Sequence, residues 1–293
     1  KMKNTEKKDE DLVKIVQPLV DWYRENKRDL PWRHNPDAYR VWISEIMLQQ
    51  TRVEAVKGYY DRFLKALPTV KDLAEAEEDK LLKLWEGLGY YNRVRNMQKA
   101  AQQIMVDHEG IFPDTYEEIL QLKGIGNYTA GAISAFAYGI PKPAVDGNVL
   151  RVISRITGSY EDIMKQSVRK KIENTLEQVI PSDAASDFNQ GLIELGAIVC
   201  VPNGEPKCEE CPVKEYCIAC KENLTTEIPV KKKAKTRKIE ERTILIFKDG
   251  KRIAIWKRPA KGLLAGLYEF PNVEGKLSMD EVTEYSKTIG LMP

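Results

Sequence analysis

The stretch LKGIGNYTAGA, residues 122–132, places two glycines immediately before a segment with the pattern of a helix. Gly124 and Gly126 are separated by one residue, a spacing typical of a tight turn because glycine adopts left-handed backbone conformations at little steric cost. A helix that begins directly after such a turn exposes backbone N–H groups that can bind a phosphate. A plain turn between two helices has the same spacing, so this stretch by itself leaves both interpretations open.

Helical periodicity continues on both sides of this turn, from residue 12 to about residue 197. Apolar residues recur every three to four positions in residues 12–23 and again in residues 94–105, as expected for helices with one buried face. Short breakers that contain glycine or proline, such as Leu67-Pro68-Thr69, separate these segments. The pattern predicts a mainly α-helical body without internal repeats.

Length and composition indicate a globular protein rather than a membrane or secreted one. The 293 residues are enough for two or three lobes with buried cores, and the hydrophobic fraction of 42% and the charged fraction of 31% are ordinary. No apolar run approaches the roughly 20 residues that span a bilayer, and the N-terminus lacks the apolar core of a signal peptide. We therefore expect a soluble, cytoplasmic protein. The net charge of +2 is too small to indicate a nucleic-acid partner by itself.

The C-terminal part of the chain has a different pattern. Residues 230–238 carry dense positive charge without apolar periodicity, which is typical of an exposed linker. Residues 243–247 and 252–256 then read as two strands joined by a hairpin turn at Asp249-Gly250. With only two or three strands before the chain ends, this segment is marginal as an independent sheet domain, and we expect it to be incomplete.

Glu45 stands in an otherwise apolar helical segment. Its neighbours at helical spacing are Val41, Trp42 and Leu48, so its carboxyl projects from an apolar face. Burial penalises the ionised form, so the pKa of this carboxyl should be raised and the group should hold a proton near neutral pH. That is the environment of a general acid. The alternative is a surface glutamate whose aliphatic stem lies along the core.

Asp146 stands where the helix-like pattern of residues 147–152 begins. Its position is typical of an N-cap, which is the simpler interpretation. Amide hydrogen bonds and the positive end of the helix would also keep the carboxyl ionised, with a lowered pKa. A protonated Glu45 and an ionised Asp146 would then form the acid and the electrostatic partner of a catalytic pair.

All five cysteines fall between residues 200 and 220, which indicates a metal site rather than scattered disulfides. Cys200, Cys208, Cys211 and Cys217 are separated by seven, two and five residues, a compact loop that can present four thiolates to one inorganic centre. Zinc is an alternative to an iron–sulfur cluster because four thiolates also satisfy its tetrahedral preference. We expect the fifth thiol, that of Cys220, to be spare.

Several segments of the chain together carry a resemblance to a known family. Residues 122–129 resemble the helix-hairpin-helix motif of the endonuclease III superfamily of DNA glycosylases, and residues 145–152 resemble its catalytic aspartate segment. A closer resemblance, to the MutY-type adenine DNA glycosylases, is carried by LPWR at 30–33, VWISEIMLQQTR at 41–52 and WEGLGYY at 85–91.

The resemblance implies a fold class and a domain order. The fold is mainly α, with a two-lobed helix-hairpin-helix glycosylase body over residues 1–222, a basic linker over 223–240 and an incomplete α+β NUDIX-like lesion-recognition domain over 241–293. Within the body, a six-helix lobe spans roughly 33–140, and an iron–sulfur lobe combines the N-terminal helix with roughly 141–222. The C-terminal segment lacks the carboxylate-rich box of a NUDIX hydrolase, which argues against nucleotide hydrolysis.

The implied activity is base-excision repair by a monomer that acts on double-stranded DNA. It would hydrolyse the N-glycosidic bond of adenine paired with 8-oxoguanine or guanine, with Glu45 as proton donor to adenine N7 and Asp146 as stabiliser of the oxocarbenium-like sugar. Because a paired adenine is stacked, it must first be extruded from the duplex at a cost of about a few kcal/mol.

The other implied roles are an adenine pocket of Arg28, Trp32, Arg33 and Tyr128, and DNA contacts by Gln50, Thr51, Leu88, Tyr90, Gly124, Gly126 and Asn148. Trp32 and Tyr90 have an alternative interpretation as core aromatics.

At two places this sequence differs from other members of the superfamily, and both differences bear on the expected activity and cofactor. Bifunctional endonuclease III-type enzymes carry a lysine at the position of Tyr128, so the resemblance implies a monofunctional glycosylase that leaves an abasic site, with Lys123 as the nearest other amine. The four cysteines resemble the [4Fe-4S] loop of the superfamily, but the first gap in that loop is usually six residues and here it is seven. The alternatives are an endonuclease III-like glycosylase-lyase and a catalytically silent mispair-binding protein.

Overall fold

The computed structural model describes residues 12–232, 239–259 and 261–290. Contacts between Cα atoms divide the chain between Lys232 and Lys233 into two units, and each unit is described by itself. The most basic part of the expected linker, residues 233–238, lies outside the described residues, so the linker stays a prediction. Across the described part of the chain, no helix is long and apolar enough to cross a membrane.

The first unit consists of helices joined by short turns. The helices predicted around residues 12–23 and 94–105 are confirmed as α1 and α6. The α-helices are α1 (Val16–Asn26), α2 (Ala38–Leu48), α3 (Val53–Ala66), α4 (Val70–Glu75), α5 (Glu78–Trp85), α6 (Asn92–Asp107), α7 (Tyr116–Gln121), α8 (Asn127–Tyr138), α9 (Gly147–Ile156), α10 (Gln166–Glu177), α11 (Ala185–Ile198) and α12 (Ile218–Lys221). Single turns of 3-10 helix cover Pro31–Arg33, Cys208–Glu210 and Lys214–Tyr216.

One hydrophobic core joins α2 to the helices that follow it as far as α8. Trp42, Phe63 and Trp85 are fully buried in this core, and the rings of Phe63 and Trp85 meet edge to face with centroids 6.1 Å apart. Such an aromatic pair adds about 0.5–1.5 kcal/mol beyond the burial of apolar area. Thr69 and Asp72 form a capping box that begins α4 directly after α3. The core fixes the position of α2, which carries Glu45.

A second hydrophobic core joins the N-terminal helix α1 to α9, α10 and α11, which lie far along the chain. Leu19, Val149 and Phe188 are buried in it. Helix α11 packs on α1, on α9 and on α8, while α8 also packs on α2. Helix α8 therefore connects the two cores, and the cleft described below lies at this junction.

The glycine turn predicted from residues 122–132 lies between α7 and α8. Gly124 has a φ of +80°, and a Cβ added there would lie 2.8 Å from Cβ of Asn96. A side chain would therefore be strained and would also clash, so this position requires glycine. Gly126 is the N-cap of α8 and has an extended backbone. The predicted turn before a helix start is confirmed.

Gly131, in the middle of α8, allows a close approach between that helix and the segment before α9. A Cβ added at Gly131 would lie 2.1 Å from the backbone oxygen of Pro143. The same segment is held from the other side, because Ala144 N donates a hydrogen bond to Oδ1 of the buried Asn189 at 2.8 Å. These two contacts fix the path of the chain into Asp146.

The second unit contains short antiparallel strand pairs and the helix α13 (Met279–Thr288). Strand β1 pairs with β6, β2 with β3, and β4 with β5. The strands are β1 (Arg242–Ile244), β2 (Lys248–Asp249), β3 (Arg252–Ile253), β4 (Trp256–Lys257), β5 (Tyr268–Glu269) and β6 (Asn272–Glu274).

The predicted pairing of residues 243–247 with 252–256 is confirmed only next to the turn, where Ala254 N donates a hydrogen bond to Phe247 O at 3.0 Å. At its start the prediction is wrong, because Thr243 lies opposite Val273 of β6, while the hairpin itself joins the two-residue strands β2 and β3. Gly250, with a φ of +57°, lies in the turn of this hairpin, as the Asp-Gly signal predicts. Strand pairing depends on which distant segment covers an apolar strand, and a local pattern does not carry that information. The NUDIX-like assignment of this unit stays a prediction.

Candidate active site

An open cleft lies where α2, α8, α9 and α11 of the first unit meet. Its volume is about 770 Å³, within the range of about 300–1,000 Å³ that is typical of ligand pockets. The cleft brings together both predicted carboxyls, the whole predicted adenine pocket and part of the predicted DNA contacts. The predicted site residues that line it are Glu45, Asp146, Arg28, Trp32, Arg33, Tyr128, Gln50, Thr51 and Asn148.

Glu45 is buried, with 6% of its surface exposed, and its pKa is raised to about 7. Burial is the main cause, and the nearby carboxyl of Asp146 contributes to the rise. The hydroxyl of Tyr128 donates a hydrogen bond to Glu45 Oε2 at 2.5 Å, and this bond, together with the charge of Arg33, opposes the rise. The prediction of a buried carboxyl with a raised pKa is confirmed, and the alternative of a surface glutamate is wrong.

Asp146 is the N-cap of α9, as predicted. Its Oδ1 accepts a hydrogen bond from Val149 N at 2.8 Å, and its Oδ2 accepts one from Asn148 Nδ2 at 2.7 Å. The predicted lowering of its pKa is wrong. Desolvation of the half-buried side chain raises the pKa of Asp146 above its ordinary value, and the hydrogen bonds to Val149 and Asn148 only partly offset that rise.

Asn148 connects Asp146 to the second core. Its Oδ1 accepts a hydrogen bond from Arg151 Nη2 at 2.8 Å, and Arg151 also donates to the backbone oxygens of Gly196 and Cys200, each at 2.8 Å. Gly196 permits this packing because a Cβ there would lie 2.6 Å from Cβ of Asn148. The orientation of the Asn148 amide, and through it that of the Asp146 carboxyl, is therefore fixed.

Glu194 is a buried residue of the cleft that the sequence reasoning missed. Its carboxylate accepts hydrogen bonds from Arg28 Nε at 2.7 Å and from Arg33 Nη2 at 2.9 Å. Burial by itself would raise its pKa, but the two guanidinium groups lower the pKa of Glu194 to about 2. Like Glu45, it is the only charge in an apolar helical run, GLIELGAI at 191–198, and this signal would have identified it. Arg28 and Arg33 are thus held at the cleft wall by a buried ion pair.

The two aromatic residues with an alternative interpretation differ in their exposure. Tyr90 is 65% exposed, so its interpretation as a core aromatic is wrong. Trp32 is 7% exposed and meets Tyr60 edge to face, yet it also lines the cleft, so it is both a core and a site residue. Leu88 is buried in the first core and does not line the cleft. The DNA contacts expected of Leu88, Tyr90 and the glycine turn stay predictions.

A separate small cavity of about 20 Å³ in the second core region is lined by all five cysteines, each of them a free thiol. Apolar side chains such as Leu195 and Val199 form part of its wall. Burial and the neighbouring thiols, that of Cys220 first among them, raise the pKa of Cys208 to about 11. The sulfur of Cys200 accepts a hydrogen bond from Arg155 Nη1 at 3.2 Å.

The four predicted ligands all line this one cavity. A zinc ion, with Zn–S bonds of about 2.3 Å, requires thiolates within about 3.8 Å of one another. Among the described residues, no three Cys, His, Asp or Glu side chains are arranged to hold one metal ion. The cavity wall is largely apolar, and the [4Fe-4S] cluster stays a prediction. The longer first gap is accommodated by a turn at Gly204, whose φ is +78°.

Comparison with known proteins identifies the family. Residues 43–180 match the family described as HhH-GPD superfamily base excision DNA repair protein. An adenine DNA glycosylase of Buchnera aphidicola subsp. Acyrthosiphon pisum is 38% identical over 261 residues, which cover 89% of this chain and 74% of that protein. This chain belongs to the adenine DNA glycosylase family. The predicted family is confirmed.

Other members of the family and its structural neighbours agree. The adenine DNA glycosylases of Arabidopsis thaliana and Homo sapiens are 38% and 35% identical, and the chain spans about half the length of each, 47% and 56%. A thermostable thymine-DNA glycosylase of known structure is 30% identical, with a TM-score of 0.65 over 74% of this chain and 99% of that one. Endonuclease III in a trapped complex with DNA, at 24% identity and a TM-score of 0.60, covers 71% of this chain and 95% of that one and shows the same fold. The mainly helical fold class is confirmed.

Proposed function

We propose that this chain is a monofunctional adenine DNA glycosylase that hydrolyses the N-glycosidic bond of adenine paired with 8-oxoguanine or guanine. The observation that carries the proposal is the pair of carboxyls, Glu45 and Asp146, which line one cleft, where the charge of Asp146 helps to raise the pKa of Glu45. Curated relatives named adenine DNA glycosylase support the choice of base. The fold alone would not select adenine, because a thymine-DNA glycosylase shares it.

Glu45 is the general acid in this proposal. The departing adenine gains negative charge as its bond to the sugar breaks, and a proton delivered to the base removes that charge. A donor works best when its pKa lies near the operating pH, and the pKa of Glu45 is about 7. The hydrogen bond from Tyr128 holds the carboxyl in position while leaving Oε1 for the proton.

Asp146 is the electrostatic partner of the sugar cation. Burial raises the pKa of both carboxyls, and the charge of Asp146 adds to the rise at Glu45, so an ionised Asp146 favours a protonated Glu45. The donors from Val149 and Asn148 stabilise Asp146 as the carboxylate and leave the proton to Glu45. A carboxylate beside an oxocarbenium-like sugar stabilises it by charge or by a transient covalent bond, and water then completes hydrolysis.

Among the described residues that line the cleft none is a lysine, and this supports monofunctional chemistry. A glycosylase that also nicks the strand needs an amine to form a Schiff base with the sugar. Tyr128 lies in the cleft where such a residue would act, and the exposed Lys123 does not line the cleft. The expected product is therefore an intact strand with an abasic site.

We assign a [4Fe-4S] cluster to Cys200, Cys208, Cys211 and Cys217. When bound, the cluster would order the loop over residues 200–217. Hydrolysis of an N-glycosidic bond transfers no electrons, so the reaction itself does not require the cluster as an electron carrier. Arg155 donates hydrogen bonds to the sulfur of Cys200 and to the backbone oxygen of Val201, and so holds one end of this loop.

The test is single-turnover base release from a duplex that carries adenine opposite 8-oxoguanine, with the protein in excess. Glu45→Gln and Asp146→Asn keep the shape of each side chain, and each should slow release at least about 100-fold. Glu25→Gln, at an exposed glutamate of α1, is the matched control and should release adenine at the wild-type rate. If either cleft variant released adenine at the wild-type rate, the role assigned to that residue would be wrong. If the wild-type protein released no adenine, the proposed function would be wrong.

The alternative function, an endonuclease III-like glycosylase-lyase, is distinguished by trapping. Borohydride reduces a Schiff base between protein and sugar to a stable adduct, so a lyase gives a covalent protein–DNA species. We expect no adduct with the wild-type protein. An adduct that disappears in Lys123→Met would show that the nearest amine outside the cleft takes part.

A further inference from the structure

The guanidinium of Arg93, in the first turn of α6, connects two loops that flank the first core. Its Nη1 donates hydrogen bonds to the backbone oxygens of Gln49 at 2.6 Å and Ile46 at 2.7 Å, at the end of α2. Its Nη2 donates to the backbone oxygens of Leu88 at 3.0 Å and Gly89 at 3.2 Å, in the loop after α5. One side chain therefore holds both loops.

Two of these carbonyls belong to the peptide bonds that precede exposed residues with unusual backbones. The oxygen of Gln49 precedes Gln50, whose φ is +60°, and the oxygen of Gly89 precedes Tyr90, whose φ is +48°. A left-handed backbone is unfavourable for a residue with a side chain and persists only where the surroundings impose it. By fixing both peptide planes, Arg93 holds Gln50 and Tyr90 in these conformations together.

Aromatic contacts and burial strengthen this link. The guanidinium lies 5.3 Å from the ring centroid of Trp85 and 5.7 Å from that of Tyr90. The indole of Trp85 donates a hydrogen bond to the backbone oxygen of Gly89 at 3.0 Å. Burial lowers the pKa of Arg93, but a guanidinium stays charged at any ordinary pH, so its bonds to the carbonyls are charge-assisted. Its Nε has no hydrogen-bond partner within the described ranges, so the contacts made are those of the two terminal nitrogens.

We propose that Arg93 is a positioning residue for base extrusion, because it sets the spacing between Gln50 and Tyr90 so that both enter the duplex together. The inference rests on the proposed function, which requires adenine to leave the stack. Gln50 lies on the rim of the cleft and Tyr90 is 65% exposed, so both side chains are available to DNA. A lysine at this position would keep the charge, but its single nitrogen could not bond to both loops as the planar fork of arginine does.

The experiment compares wild type with Arg93→Lys in two measurements. The first is the single-turnover rate of adenine release from a duplex with adenine opposite guanine, with protein in excess so that the inactive fraction does not affect the rate constant. The second is the fluorescence of 2-aminopurine placed at the target position, which rises when the base leaves the stack and requires no chemistry. Arg40→Lys, at an exposed arginine of α2, is the matched control.

We expect Arg93→Lys to slow release about 10- to 100-fold and to lose most of the fluorescence rise, while the control behaves as wild type. Wild-type release by Arg93→Lys, or slow release with a full fluorescence rise, would overturn the inference. If Arg93→Lys lacks a helical circular dichroism spectrum, Arg93→Gln carries the same expectation. A wild-type protein that extrudes 2-aminopurine but releases no adenine would refute the proposed function, whereas a loss of extrusion in Arg93→Lys would still support this inference.

Discussion

Glu45 shows how burial sets the chemistry of a single residue. An exposed glutamate is ionised at neutral pH, whereas burial raises the pKa of this carboxyl from 4.5 to about 7. The same shift has a cost for the fold, because a buried carboxyl that ionises loses its hydration. Glu45 should therefore contribute less to stability as the pH rises, the opposite of the usual behaviour of acidic residues in proteins.

This cost gives a prediction that does not depend on catalysis. Below about pH 4.5 Glu45 is protonated in the folded and the unfolded chain, and above about pH 7 it is ionised in both. Between these values unfolding releases a proton, so stability falls as the pH rises. Glu45→Gln removes the penalty, and it should raise the free energy of unfolding by roughly 2–3 kcal/mol at about pH 8, with the gain shrinking toward pH 5.

Urea unfolding at several pH values, followed by circular dichroism, measures this difference. Glu25→Gln, at an exposed glutamate of α1, is the control for the loss of one carboxylate. A gain that stayed constant across the range would mean that Glu45 does not titrate in the folded protein as described.

Among the elements, helix α8 positions both carboxyls of the candidate site. Its N-terminal end follows the glycine turn, Tyr128 in its first turn contacts Glu45, and Gly131 in its middle lies against Pro143. The segment that leads to Asp146 can therefore lie this close to α8 only because Gly131 has no side chain. The two catalytic carboxyls of the proposal, which belong to different cores, are aligned by this one helix.

Gly131→Ala should disturb that alignment. The added Cβ would meet the Pro143 oxygen at 2.1 Å, a contact with backbone that cannot rotate away, so we expect a loss of about 2–3 kcal/mol in stability. Adenine release should slow as well, because the segment that carries Asp146 must move. Thermal and urea unfolding measure the first effect, and single-turnover release measures the second.

Gly58→Ala is a matched control for this change, since Gly58 lies inside α3 and is exposed. Its added Cβ would meet the side chain of Arg62 at an ordinary 3.5 Å. Alanine is the better helix former, so this variant should gain up to about 1 kcal/mol. Equal gains at both glycines would show that the close approach to Pro143 is absent in solution.

At the scale of the whole molecule, helices from opposite ends of the first unit's sequence pack against each other. Helix α1 packs on α11, and the cysteine loop that follows α11 lies beside the same core. Arg151 and Arg155 of α9 donate hydrogen bonds to Cys200, through its backbone oxygen and its sulfur respectively. The order of the cysteine loop and the position of α9 are thus connected.

The proposed cluster predicts which thiols matter. Cys200→Ser and Cys208→Ser should lose iron and the visible absorbance of an iron–sulfur cluster, whereas Cys220→Ser, at the same cavity, should keep both. Iron content per chain and the absorbance spectrum of the purified proteins are the measurements. If Cys220→Ser lost the cluster and Cys200→Ser kept it, Cys220 would be the fourth ligand.

The amino-acid sequence by itself determined the parts of this protein that depend on local pattern. Periodicity predicted the helices, the paired glycines predicted the turn before α8, and the lone charge on an apolar face predicted that Glu45 is buried. The spacing of cysteines predicted that they gather, and they line one cavity. Each of these follows from which face of a nearby element is apolar, or from a backbone that only glycine adopts readily.

The tertiary structure alone decided what depends on distant partners. The ion pair that joins Glu194 to Arg28 and Arg33, the link between two loops through Arg93, and the pairing of β1 with β6 all connect residues far apart in the sequence. The pKa of Asp146 belongs to the same class: its N-cap position predicted a lowered pKa, but the surrounding protein desolvates the carboxyl and raises it. A local pattern fixes which side of an element is buried, whereas packing fixes what it is buried against.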